Sequence, residues 1–252
     1  MARDRIDELA DALMKINRGQ LSKTEVHRVL ASIDEVDLSL AEQRLLERGV
    51  SPEELQGLCK AHLEVLDKQA QNLKVTAGPG HPIHTLVSEH ELILGFLDSL
   101  EDAARTISQR NELREDDEDL KAAIENVREV AFHLVETEKH HAREEQALFP
   151  ALEARGITGP TRIMRLEHAD LRPKKHRLYE ASERVAPDTF LEARDEIAQL
   201  ADYIVPTLRE HIMKENTILY PAALQAISDA GTWRSIKAKC DEIGYCCFTP
   251  AL

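Results

Sequence analysis

His140-x-x-x-Glu144-Glu-Gln-Ala-Leu-Phe-Pro150 returns 71 residues later as His211-x-x-x-Glu215-Asn-Thr-Ile-Leu-Tyr-Pro221. Each copy holds a histidine, a carboxylate four residues on, and an aromatic-proline step six residues after the carboxylate. A second shared element, Glu89-His90 and Glu167-His168, precedes each copy. Residues four apart project from one face of a helix, so His140 with Glu144, and His211 with Glu215, can point inward together. Imidazole with carboxylate is a ligand mix for iron, zinc or manganese rather than calcium or magnesium. One His-x-x-x-Glu on a helix is usually a solvent-facing pair. Two copies with matching ends, each preceded by Glu-His, make a doubled half-site. His90 and His168 complete a set of four histidines and two carboxylates. Carboxylates can bridge ions, so the set reads as a dinuclear centre between four helices.

The assignment on the first copy stays open between His140/Glu144, His141/Glu145 and His140/Glu145. The first is preferred because Glu144 and Glu215 lie equally far from their prolines. His84, six residues before His90, is a spare ligand. Glu89 and Glu167 are either acceptors that orient ligand imidazoles or helix-surface charges. His81 is expected to be an exposed linker residue. Tyr179 and Tyr203 are expected to pack, and Arg172, Lys174, Lys175, His176 and Arg177 to form a solvated basic face. The Leu-Phe-Pro and Leu-Tyr-Pro ends are read as structural, with the apolar pair packing and proline stopping the helix.

The helices that must carry these groups are visible in the periodicity. Four long patterns run over about 83–108, 120–152, 161–186 and 189–228, with Pro173 and Pro206 expected as kinks. Short connections between them describe an all-α, up-down four-helix bundle over 83–228. Residues 1–75 form a small helical domain, in which Gly49 closes one helix and Ser51-Pro52 opens the next. Thr76-Ala-Gly-Pro-Gly-His-Pro82 is read as the linker over 76–82, and 229–252 as a tail whose Gly244-Tyr-Cys-Cys-Phe-Thr-Pro250 end is irregular. Asn111–Asp119 is a solvated acidic loop.

The 252 residues carry 32 Lys and Arg against 46 Asp and Glu, a formal charge of −14. That balance disfavours general nucleic-acid or anionic-membrane binding. No apolar run approaches the roughly 18 residues of a spanning helix, and the first residues lack a signal-peptide core. Cys59, Cys240, Cys246 and Cys247 do not form a disulfide framework, so a reducing cytoplasm is expected. Cys59-x-x-His62 reads as a core pair or half a metal site. The vicinal Cys246/Cys247 pair offers a redox contact, a soft-metal ligand or neither. Phosphate-binding glycine loops, Ser-His-Asp orders and Cys-x-x-Cys are absent from the sequence, and with them the classes that need them.

Over residues 82–225 the chain resembles the hemerythrin-like (HHE cation-binding) family. The stretches that carry the likeness are Glu89-His90-Glu-Leu, the two repeats and Glu167-His168-Ala-Asp-Leu-Arg. The first 75 residues, through Leu58-Cys59-Lys-Ala-His62, are similar to a small helical domain of unassigned function often found ahead of such bundles. The resemblance implies a non-haem di-iron centre, with manganese or zinc as other occupants. It implies a protein that binds or senses O2, NO or a related small oxidant, rather than an enzyme. A di-metal enzyme (peroxidase, NO-reductase-like or iron-donating for cluster repair) is the rival. The pattern departs from the oxygen-carrying members. His168 is followed by Arg172 where they have a second histidine, and Glu215 follows His211 by four residues instead of five. That shift favours sensing or reactivity over oxygen carriage. A protein partner is expected at the N-terminal domain, and the oligomeric state is left open.

Overall fold

The computed structural model describes residues 2–18, 20–21, 35–50, 73–114 and 116–251. Every regular element among them is helical. In chain order these are α1 (Ala2–Asn17), α2 (Glu35–Glu47), α3 (Leu73–Ala77), α4 (Pro82–Ser108), α5 (Glu118–Glu136), α6 (Glu138–Arg143), a π turn π1 (Glu144–Leu148), α7 (Phe149–Glu153), α8 (Gly159–Glu183), α9 (Phe190–Lys214), a second π turn π2 (Glu215–Leu219), α10 (Tyr220–Ala226) and α11 (Ala230–Ile243). The expected helix start at Ser51-Pro52, and Cys59 and His62, lie outside the described residues.

Two compact units divide the chain. The first comprises Met1–Val87, Arg143–Arg165 and Met213–Glu242, and the second Ser88–Ala142, Leu166–Ile212 and Ile243–Leu252. The second unit is four packed helices. Its core takes Ile93, Leu97, Leu100 and Ile107 from α4 and Leu120, Val127, Ala131 and Leu134 from α5. Leu171 and Leu178 of α8 and Ile197, Ile204, Leu208 and Ile212 of α9 complete it. Three- and four-residue spacing puts these apolar side chains on one stripe per helix. Asp117 caps α5, its carboxylate accepting from the Leu120 amide at 3.0 Å, and Glu118 and Asp119 complement the helix N-terminus.

In the first unit α1 and α2 pack together, joined by ion pairs from Arg48 to Asp7 and Asp11. Ala10, Leu13, Ala41 and Leu45 share one core with Phe149, Leu152, Tyr220 and Ala223. Gly49 ends α2 in the left-handed region at φ 86°, and the next amide, Val50, reaches back to the Leu45 carbonyl at 3.1 Å. Gln43 of α2 serves a distant helix start. Its side-chain oxygen accepts from the Thr158 and Gly159 amides at 3.1 and 3.3 Å. A Cβ at Gly159 would stand 2.8 Å from Gln43 Cβ, so the close approach requires glycine.

One expectation about proline is corrected. Pro150 and Pro221 do not stop their helices. Each is the second residue of a new α segment, α7 or α10, that follows a π turn. Proline lacks an N–H and its ring crowds the carbonyl four residues back. The wider turn removes that conflict by bonding the Phe149 amide to the Glu144 carbonyl and the Tyr220 amide to the Glu215 carbonyl. Pro173 and Pro206, the expected kink positions, lie inside α8 and α9.

Candidate metal centre

Each π turn begins on the carboxylate of a repeat, and single π turns in α-helices frequently mark functional positions. Both units bury side chains that are seldom buried without cause. Glu89, His90, His140, His141, Arg143, Glu144, His168, His211 and Glu215 are all at most 2 % exposed.

The second unit holds two matching half-sites. His90 Nε2 faces His140 Nε2 at 3.1 Å, and His168 Nε2 faces His211 Nε2 at 3.0 Å. On the far side of each ring stands the glutamate of a Glu-His element. His140 Nδ1 lies 2.7 Å from Glu89 Oε2, and His211 Nδ1 lies 2.8 Å from Glu167 Oε2. A carboxylate only accepts, so Nδ1 carries the proton and Nε2 presents its lone pair to the opposite imidazole. Two nitrogens each about 2.1 Å from one ion at a right angle stand about 3.0 Å apart, which is the spacing found in both pairs. The four-histidine set therefore fits shared ions. The doubled sequence pattern is doubled wiring: each repeat histidine is held by the acid, and met by the histidine, of a neighbouring helix.

His141 belongs to the same region. Its ring stacks on His168 at 3.9 Å and 10°, and ligand atoms of His141, His168 and His211 lie within 4.8 Å of one another. The choice between His140 and His141 is thus not exclusive, since both are buried among histidines on different sides. Burial, reinforced by His168 and Lys175, pushes the His141 imidazole well below its usual value, so it is neutral and able to ligate.

In the first unit the two repeat carboxylates are neighbours. Burial pushes the Glu144 carboxyl well above the ordinary glutamate range, the charge of Glu215 adds to this, and the Tyr220 hydroxyl and Arg143 oppose it. The Tyr220 hydroxyl donates to Glu144 Oε1 at 2.7 Å. The aromatic of the second repeat, expected only to pack, therefore also orients a carboxylate. Each acid is directly preceded by a buried cation, Arg143 or Lys214. The buried groups of metal-competent atoms among the described residues draw on His90, His140, His141, Glu144, His168, His211 and Glu215. They include neither His84 nor Glu145, which are both partly exposed.

A model of the Hemerythrin HHE cation binding domain matches residues 81–232, more than half the chain. The chain belongs to the hemerythrin HHE cation-binding family. A second model, of a family of unknown function (DUF438), matches residues 9–72. A search of the curated proteins gives no match. The HHE domain here is a four-helix bundle whose buried histidine and glutamate groups suit a di-metal site. No helix among the described residues is long and apolar enough to cross a membrane.

Elsewhere the HHE bundle corrects the reading of individual residues. Lys175 is not on a solvated face. It is fully buried, with Nζ 2.5 Å from Glu138 Oε1 and donating to Thr137 Oγ1 at 2.7 Å. Burial alone would raise the Glu138 carboxyl, but Lys175 and Arg172 hold it below the usual range. His81 is half-buried against the Trp233 ring, with centroids 4.3 Å apart. Tyr203 donates to Asp170 Oδ2 at the surface. Cys240 and Cys246 are buried and Cys247 is exposed, none of the three in a disulfide.

Proposed function

We propose that this HHE protein holds two iron ions, with manganese or zinc as other occupants, and binds or senses O2, NO or a related small oxidant. The observation that carries the reading is the pair of Nε2-to-Nε2 contacts, each with its outer nitrogen fixed by a glutamate. His90 with His140 would hold one ion and His168 with His211 the other. Glu144 and Glu215, four residues after the repeat histidines in the sequence, are the carboxylates of the proposed ligand set. Iron held this way supplies open coordination positions and a reversible redox change. The chain's own part is to fix imidazole tautomers through Glu89 and Glu167, orient Glu144 through Tyr220, and keep bulk water from a buried polar cluster.

Ferrous iron added anaerobically to the purified chain should bind at two equivalents, and exposure to air or NO should raise charge-transfer absorption. His140→Ala and His211→Ala should each remove most of the metal. Fewer than two equivalents in the parent with no new absorption, or full metal retention in both variants, would sink the reading.

A further inference from the structure

The irregular C-terminal stretch lies beyond the residues matched by the family model, yet it ends on the metal centre's support. After α11 the chain turns at Gly244. The Thr249 amide then closes a tight turn onto the Cys246 carbonyl at 3.0 Å. Phe248 sits edge-on to Phe96 and His133, with centroids at 5.2 and 5.7 Å, and these two rings stack on each other at 4.7 Å. Cys247 Sγ lies 3.5 Å from His133 Nδ1. The aromatic anchor fixes where the next residue falls: the Thr249 hydroxyl donates to Glu89 Oε1. Pro250 restricts the Thr249 backbone to extended conformations, so the hydroxyl is presented by a stiff segment.

Glu89 is completely buried, and its two oxygens have different tasks. Oε1 accepts from Thr249, and Oε2 holds His140 Nδ1. A carboxylate tethered at one oxygen cannot swing without losing the other contact. We propose that Thr249 is a positioning residue for the metal centre, with the tail clasping Glu89 and, through it, the His140 ring. This rests on the reading of His140 as a metal ligand, although its first readout needs no metal.

The test uses the full chain with Thr249→Val, which keeps shape and loses the donor, and Thr249→Ser, which keeps the donor. In the metal-free protein the His140 ring-nitrogen resonances should shift in Thr249→Val and stay near the parent in Thr249→Ser, with melting temperatures alike. In the ferrous protein, release to a chelator should be about 3- to 10-fold faster for Thr249→Val, one bond further out than partners whose loss costs 10- to 100-fold. Thr249→Ser should stay within about twofold of the parent on the same scale. Unchanged resonances and release in Thr249→Val overturn the proposal, as does a Ser variant that behaves like Val. If only the parent's metal binding fails while the resonances shift as expected, the fault lies with the metal reading and the clasp on His140 stands.

Discussion

Glu144 and Glu215 illustrate what a pair of candidate metal ligands costs its own fold. Two adjacent buried carboxylates are unfavourable unless a cation or a proton compensates them, and the raised Glu144 carboxyl reflects that. Glu144→Gln should therefore stabilise the metal-free chain by about 1 kcal/mol while reducing metal content; a destabilised metal-free variant in chemical unfolding would contradict this. Tyr220→Phe leaves the ring packing and removes the donor to Glu144, and should cost about 1–2 kcal/mol by the same measurement. Lys175→Met strands the partly exposed Glu138 beside Arg172, with an expected loss of about 2–3 kcal/mol. The buried histidines and carboxylates of the candidate site were legible because their types are rare in apolar helix stripes and their spacing repeats. Lys175 was not, since it stands in a run of cations, and nothing local distinguishes the one that turns inward. Tyr220 was half legible: its place in the repeat was plain, but a ring that packs and a hydroxyl that donates look alike in sequence.

At the scale of the helix, periodicity located the four long elements to within a few residues, while the π turns escaped it. The aromatic-proline step signals that an ordinary α register must fail nearby. Sequence alone does not say whether the chain ends the helix or widens one turn. The structure widens it at Glu144 and at Glu215. Replacing Pro150 and Pro221 by alanine removes the reason for the wide turn. The double variant should keep or gain helical stability, while ferrous affinity falls about tenfold; unaltered affinity would separate the turns from ligand placement. Between α8 and α9, Arg177 and then Arg184 hold the Glu196 carboxyl below its ordinary range. A lowered folded value means stability that is present above the unfolded pKa and lost as pH falls through the folded one. Glu196→Gln should thus lower the melting temperature at pH 7 and leave it nearly unchanged near pH 2–3, with a constant deficit at both pH values counting against the assignment.

At the scale of the molecule, the glycine-proline punctuation at 76–82 separates two helices, α3 ending at Ala77 and α4 starting at Pro82, while the first compact unit runs through it to Val87. Nothing in the sequence indicated that α1 and α2 would share a core with α7 and α10, because that packing joins residues more than a hundred positions apart. Gly159→Ala tests it. The added methyl collides with Gln43 and should cost about 1–3 kcal/mol, with partial rescue by Gln43→Gly; an equal loss in both backgrounds would point to helix propensity and not to collision. The same contact has a consequence for the order of synthesis. Gln43 is synthesised more than a hundred residues before the amides of Thr158 and Gly159 exist, and before Phe149, Leu152, Tyr220 and Ala223 can cover Leu13 and Leu45. The first helices made are thus among the last to complete their packing. They must stay incompletely buried on the nascent chain until the C-terminal half arrives.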